Sequence, residues 1–364
     1  MADEHQVVAA AIAAEGLDWT AGPTSLSSLP PEERRARLGV LVSPEEMRRL
    51  SEETRLTAAH ELQTRGLAAV GAPAAVDWRN NGGNFVTPVK NQGGCGSCVG
   101  FCTCATMESA VRIKLANPNF AIDLSEGFCQ FCGGGSCGGW GLTSGLDFAK
   151  STGVTDDACM PYQPTDMNCA ASRCADWQNR LTKISAYTAH STMEARKNAI
   201  ATTGPVLAGM AVYNDFYSYT GGVYRKTAGS RLEGYHCICC VGYNDAQQCW
   251  ILKNSWGTGW GSGGFVQIGY GQADLLIDTT WSMYSVAIQI QSAWYPNVAV
   301  SQVFATRETQ NAWGYFQGLG WRRIQTGSAD GVTHMLALLT EAVANGKKVT
   351  VYADANFVYQ AYLL

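Results

Sequence analysis

The chain has 364 residues, 46% of them apolar, which is enough for two or three compact units with sizeable cores. Its formal charge of −4 gives no global attraction to nucleic acid or to an anionic membrane. No run of about 18 apolar residues occurs, so no membrane-spanning helix is expected.

Residues 1–74 are rich in Ala, Glu, Arg and Leu and hold no Cys. The opening Met-Ala-Asp-Glu-His lacks a basic start and an apolar core, so no signal peptide is read in it. Pro30-Pro31-Glu32-Glu33 predicts a helix start, with Pro in the first turn and acids at the positive end of the dipole. Ser43-Pro44-Glu45-Glu46 repeats that signal before a second amphipathic stretch running towards Leu67. Gly66 to Ala75 is small and flexible in composition and reads as a linker and cleavage region.

All 14 cysteines fall between Cys95 and Cys249. That density points to disulfides in an oxidising compartment, hence to secretion or the cell envelope, with the cytoplasm left open. The stretch from Cys98 to about Leu115 reads as a buried helix. Beyond Gly204-Pro205 the pattern turns to short strands at Val206–Val212, Gly222–Tyr224, His236–Tyr243, Cys249–Asn254 and Phe265–Ile268. A helical half followed by a stranded half predicts an α+β unit with two lobes over residues 75–292. Residues 293–364 read as strand Val298–Ala305, strand Gly314–Ile324, helix Val332–Ala344 and strands Lys348–Asp354 and Phe357–Leu363, with Gly346 capping the helix.

The chemistry concentrates in Pro88-Val-Lys-Asn-Gln-Gly-Gly-Cys-Gly-Ser-Cys98. A cysteine at the start of a buried helix sits where N–H groups and the dipole favour a thiolate. Gln92 can aim its amide at the same spot and, with the Cys98 N–H, form an oxyanion hole. A thiolate nucleophile needs a proton carrier, and of the five histidines only His236 opens a strand beside a hairpin. The second strand of that hairpin brings Asn254 within reach of His236, giving nucleophile, base and orienting group.

These residues resemble the papain/cathepsin family of cysteine peptidases, through Val76-Asp77-Trp78-Arg79, Gln92 to Cys98, His236, and Asn254-Ser-Trp-Gly-Thr-Gly-Trp-Gly261 in that order. The resemblance covers roughly Ala75 to Ile290. It implies a cleft between a helical lobe and a barrel-like lobe, a Cys98 thiolate–His236 imidazolium pair, an acyl-enzyme and no cofactor or metal. It further implies that Trp256 shields the His236–Asn254 contact, that Gly139 hydrogen-bonds the substrate backbone, and that Trp140, Cys237 and Gly209 border the pocket for the second residue before the scissile bond. Cys95 is expected to pair with Cys137, and Cys132 with Cys169 or Cys174. Two departures stand out: Val99 replaces the Trp that usually follows the nucleophile, and the cleft-wall segment Cys137-Gly-Gly-Trp140 is one residue short. With no His-rich insertion, an endopeptidase is the expected activity.

Other readings compete. Cys95-Gly-Ser-Cys98 fits a C-x-x-C redox pair, and Cys129-x-x-Cys132 with Cys137 fits a metal site. Trp260 reads as a core aromatic and His334 as structural or exposed. A papain-fold acyl transferase or transpeptidase would use the same acyl-enzyme, and a catalytically dead binding scaffold is the remaining alternative. Leu17-Asp-Trp19-Thr-Ala-Gly22 with Leu38-Gly39 resembles the short propeptide of cathepsin-B-like enzymes. It implies an inhibitory segment over residues 1–74 that runs backwards along the cleft, with activation cleavage between about Leu67 and Asp77; a mere packing arm is the alternative. The tail resembles, in element order and aromatic content, the pentamer-forming sugar-binding subunits of bacterial toxins, which suggests an oligomerising or glycan-binding module. The expected partners are therefore peptide or protein substrates and the chain's own propeptide, with neither nucleic acid nor membrane.

Overall fold

A computed structural model describes residues 3–42, 71–272, 283–289, 293–306, 311–325, 329–353 and 357–364. Contacts divide the chain into two units: Met1–Ala110 with Ile122–Ile288, and Val111–Ala121 with Gln289–Leu364. The second amphipathic stretch expected after Ser43, and the first half of the linker after it, lie outside the described residues.

In the first unit, α1 (Glu4–Glu15) buries Val8 and Ile12 and ends at Gly16, whose φ of 64° is the left-handed cap that glycine adopts without a Cβ penalty. β1 (Trp19–Ala21) and α2 (Pro31–Arg35) follow, the latter beginning at Pro with Glu32 and Glu33 in its first turn, as its sequence requires. Next come β2 (Ala75–Asp77), α3 (Cys98–Lys114), α4 (Ser144–Ser151), α5 (Cys169–Ser172), β3 (Lys183–His190) and α6 (Met193–Thr202). The stranded part comprises β4 (Val206–Tyr213), β5 (Tyr219–Tyr224), β6 (Leu232–Asn244), β7 (Cys249–Lys253), β8 (Phe265–Gly269) and β9 (Met283–Gln289). Its nine-stranded sheet runs β1-β5-β8-β7-β6-β4-β9-β3, with β2 paired to β6. All of β7 and nearly all of β4 are buried, which explains their near-continuous apolar runs.

Three disulfides pin the helical part: Cys95–Cys137, Cys132–Cys169 and Cys159–Cys174. The first was implied by the family resemblance, the second selects one of two options, and the third joins Cys159, whose partner no sequence pattern indicated. With Cys95, Cys132 and Cys137 all bonded, neither the C-x-x-C redox pair nor the Cys129–Cys132–Cys137 metal site survives. Among the described residues no cluster of potential metal ligands occurs, and no helix is long and apolar enough to cross a membrane.

The second unit is a closed five-stranded barrel of β10 (Ala293–Ala305), β11 (Ala312–Phe316), β12 (Gly320–Ile324), β13 (Lys348–Ala353) and β14 (Phe357–Leu363), with α7 (Ala329–Asn345) between β12 and β13. The order is β10-β11-β12-β14-β13, and β12 runs parallel to β14. The single strand expected over Gly314–Ile324 is a hairpin instead. Gly318 and Gly320 take φ of 83° and 75°, a backbone that folds the run back on itself. Phe316, Leu339, Ala342, Val349, Val351 and Val358 fill the barrel core.

Candidate active site

Cys98 is the first residue of α3 and is fully buried. The Cys237 N–H points at its Sγ from 3.4 Å, and the main chain of Gly39 also lies in hydrogen-bonding contact with it. His236 lies in β6, where Met210 of β4 is its register partner. Its Nε2 donates to Asn254 Oδ1 at 2.8 Å, while Nδ1 has no hydrogen-bond partner of good geometry and lies near the main chain of Arg37. Asn254 follows the end of β7, and its Oδ1 also accepts from the Ser255 N–H at 2.8 Å. Trp256 packs over the imidazole with ring centroids 4.8 Å apart and is itself 1% exposed, so the His236–Asn254 bond is dry. Trp260 packs edge-on to Trp256 in the core.

Gln92 is held by its own surroundings. Its Oε1 accepts from Ser255 Oγ at 2.6 Å and its main-chain N–H bonds the Ser255 carbonyl. Its Nε2 donates to Cys95 O at 2.8 Å and to Arg37 O at 2.9 Å. The amide expected to serve a substrate oxyanion therefore already holds a carbonyl of the N-terminal segment.

That segment is built to approach closely. A Cβ on Gly39 would stand 1.7 Å from the Gly96 carbonyl oxygen, and one on Gly139 would stand 2.6 Å from the Gly39 oxygen. Val40 and Trp140 form a parallel bridge, through Trp140 N–H to Gly39 O at 2.7 Å and Leu41 N–H to Trp140 O at 2.9 Å. Anchors precede it in the chain. Trp19 packs on Tyr219 and Tyr224, the Arg34 guanidinium stands over the Tyr217 ring at 5.2 Å, and Arg35 pairs with Glu233 at 2.5 Å.

The residues expected to border the substrate pocket lie in two places. Backbone pairing falls on Trp140, one residue beyond Gly139, in keeping with the shortened cleft wall. The Trp140 ring covers Gly133 and borders an open hollow with Ser144, Asp147, Phe148, Lys150 and Ser151. Gly209 and Cys237 face each other across β4 and β6 and are buried. Side chains alternate along a strand, so Cys237 turns to the face opposite its neighbour His236. There it meets Cys102 and lines an enclosed space of about 10 Å³ with Cys239, Lys90 and Glu126. Gly209 and Cys237 thus lie side by side, and Trp140 borders a different hollow. Val99, in place of Trp, is fully buried against the α4 glycine, Gly145.

The sequence reading also missed a buried polar network under the cleft. Lys90 Nζ contacts Glu126 at 2.6 Å, Asp123 at 2.5 Å and Glu108 at 3.4 Å, and Lys253 Nζ donates to Thr87 Oγ1 at 2.9 Å. Burial pushes the Glu126 carboxyl up to about 8, against the pull of Lys90. The one signal available was a pair of acids, Glu108 and Glu126, in otherwise apolar stretches.

Burial governs Cys98 and His236 too. It drives the Cys98 thiol up to about 12 and the His236 imidazolium down to about 4, so the covered cleft holds both groups uncharged at neutral pH. The ion pair that the family resemblance implies belongs to an uncovered cleft. Uncovering passes the Cys98 proton to His236 and takes none from solvent, so this pair gives the covered-to-open balance no slope between about pH 7 and 5. Lowering the pH from 7 to 5 is expected to leave the rate of Cys98 labelling in the intact chain within about threefold, after correction for the reagent's own pH dependence. A rise of about tenfold or more would mean that opening takes up a proton, with His236 charged beside a thiol.

A family model described as papain family cysteine protease matches residues 72–285. "Cathepsin B-like CP3" of Giardia intestinalis is 34% identical over 215 residues, spanning 56% of this chain and 71% of that protein. A "Cathepsin L-like proteinase" of Phaedon cochleariae is 32% identical over 57% of this chain and 63% of its own length. Among solved structures, procathepsin L 3 of Tenebrio molitor larval midgut shares the fold with a TM-score of 0.60 at 22% identity, covering 78% of this chain and 88% of that one. ProCathepsin B S9 from Trypanosoma congolense does so with a TM-score of 0.62 at 19% identity, covering 78% and 98%.

Proposed function

From the premise that this chain belongs to the papain family of cysteine proteases and is a peptidase precursor, we propose that it is an endopeptidase acting through an acyl-enzyme on Cys98, held latent by its own residues 1–74. The observation that carries this reading is the 2.8 Å bond from His236 Nε2 to Asn254 Oδ1 beneath Trp256, which fixes the ring and leaves Nδ1 as the proton-carrying nitrogen. With the cleft uncovered and wet, the Cys98 proton passes to Nδ1. The thiolate adds to the peptide carbonyl carbon, and the oxyanion takes the Gln92 amide that Arg37 O occupied. Collapse breaks the C–N bond as His236 protonates the leaving amine. A water, deprotonated by His236, then cleaves the thioester and restores the thiol.

The same reading makes residues 75–292 the peptidase domain and 293–364 an accessory module. Latency is supported by the direction of the covering strand. A parallel bridge to Trp140 presents the segment's backbone in the opposite sense to a substrate that pairs antiparallel there, so the aligned peptide bond is not cut. The density of disulfides supports an extracellular or envelope location.

A thiol-directed epoxide tests the reading. Protein cleaved between about Leu67 and Asp77 is expected to label stoichiometrically at Cys98 and to lose peptide hydrolysis in step with labelling. The intact chain at neutral pH should label at least about a hundredfold more slowly, as expected for a thiol held neutral. Processed protein that hydrolyses peptides without labelling at Cys98, or an intact chain that labels as fast as the processed one, would overturn it.

A further inference from the structure

The barrel of the second unit carries an aromatic platform that the peptidase reading does not use. On its outer face Phe304, Trp313, Arg323 and Phe357 stand in one register row across β10, β11, β12 and β14. Gln302, Tyr315 and Trp321 stand in the next row, two residues along. Strand alternation puts both rows on one side, since the intervening residues Val303, Gly314, Arg322 and Ile324 lie on the inner side. Phe304 is 54% exposed, Trp321 43% and Tyr315 38%, and the Tyr315 and Trp321 rings meet edge-to-face at 5.7 Å. The Trp313 indole N–H is held by Asn311 Oδ1 at 3.1 Å, which fixes that ring's orientation.

We propose that this face binds a short glycan, with pyranose C–H faces stacked on Phe304, Trp313, Tyr315 and Trp321 and hydroxyl groups bonded by Gln302 and Arg323. Size and charge select this occupant. Three strand spacings give about 14 Å across and two residues give about 7 Å along, the footprint of two or three sugar rings. A stable protein interface needs roughly 800 Å² per partner, several times this area. Residues 293–364 carry five Lys or Arg against four Asp or Glu, too balanced a charge to hold a nucleic-acid backbone. Aromatic rings interleaved with amide and guanidinium groups suit a ligand with apolar faces and polar edges. The face between the second and third strands of five-stranded Greek-key barrels is a recurrent oligosaccharide and oligonucleotide platform, an analogy at the level of fold.

The proposal is independent of the peptidase reading, and its test uses the full-length Cys98→Ala chain so that proteolysis plays no part. The probes are a printed array of defined neutral and acidic oligosaccharides, insoluble chitin and cellulose, and a single-stranded oligonucleotide as polyanion control. Saturable binding to at least one saccharide is expected, weakened about tenfold or more by Trp321→Ala and by Tyr315→Ala with circular dichroism unchanged. Phe304→Ala is a third variant should either of these fail to fold. Absence of saccharide binding, binding indifferent to all three variants, equal or tighter binding of the oligonucleotide, or a self-association in sedimentation that Trp321→Ala dissolves would each overturn it.

Discussion

A Gly39→Ala chain is expected to lose its latency, with Cys98 in the uncleaved protein labelling at least about a hundredfold faster than in the unaltered chain. The cause is steric and local. A methyl group at position 39 would stand 1.7 Å from the Gly96 oxygen and 2.3 Å from its carbonyl carbon, and both belong to the rigid backbone just before the nucleophile. Neither side can yield. Gly96 is tied to Cys137 O by its N–H, and the flanking Cys95–Cys137 disulfide fixes the loop. Overpacking typically costs about 1–3 kcal/mol, and a 1.7 Å approach to backbone falls at the upper end. At about 1.4 kcal/mol per tenfold, that is two decades in the covered-to-open ratio. The peptidase lobes contain no part of residue 39, so the processed enzyme should be unaffected. Leu41→Ala provides the control, because the Leu41 side chain is 58% exposed and its role in pairing is through the backbone. Labelling rates of the two uncleaved variants, measured side by side, check the claim. A latent Gly39→Ala protein would mean that the anchors at Trp19, Arg34 and Arg35 cover the cleft without close contact over Cys98.

Gln92→Ala is expected to lower kcat of the processed enzyme by about two to three decades while leaving KM within a few-fold, the signature of a donor used mainly by the developing oxyanion. The geometry behind this is the double use of Nε2. It bonds Cys95 O within its own loop and a foreign carbonyl, that of Arg37, at hydrogen-bonding distance. In the covered chain the same substitution removes a bond from the prosegment, so it should also loosen latency. A single variant would thus impair turnover after processing and speed Cys98 labelling before it. Gln92→Glu separates loss of the donor from loss of packing: it fills the same space but sets an acceptor against Arg37 O. Single-turnover acylation of the Ala and Glu variants would check this. Near-normal acylation in both would remove Gln92 from the chemistry.

Much of this site was legible before any coordinates, because its residues sit in long, unusual local strings. Gln92 to Cys98 fixes a loop entering a helix, and Asn254 to Gly261 fixes the exit from a strand. The helix at Cys98 and the hairpin of β6 and β7 could be read in the same way, and the family resemblance implied the Cys95–Cys137 bridge. The side of β6 that Cys237 takes could not. Whether Cys237 faces the cleft or the interior depends on which neighbour takes the cleft side, and His236 takes it. The split of Gly314–Ile324 into a hairpin turned on two glycines whose conformation a hydrophobic pattern does not report.

The sequence by itself determined the chemistry: a thiol at a helix start, an imidazole, an amide to orient it and an amide to receive the oxyanion, because those identities are local and few residue types can perform them. Only the tertiary structure decided the state of that chemistry. The charge on Cys98 and His236 is set by burial beside a segment far from both in the chain, and the partner of Gln92 is set by a carbonyl from that segment. Solvent exclusion and close backbone approach are properties of what lies nearby in space, which no local string of residues encodes.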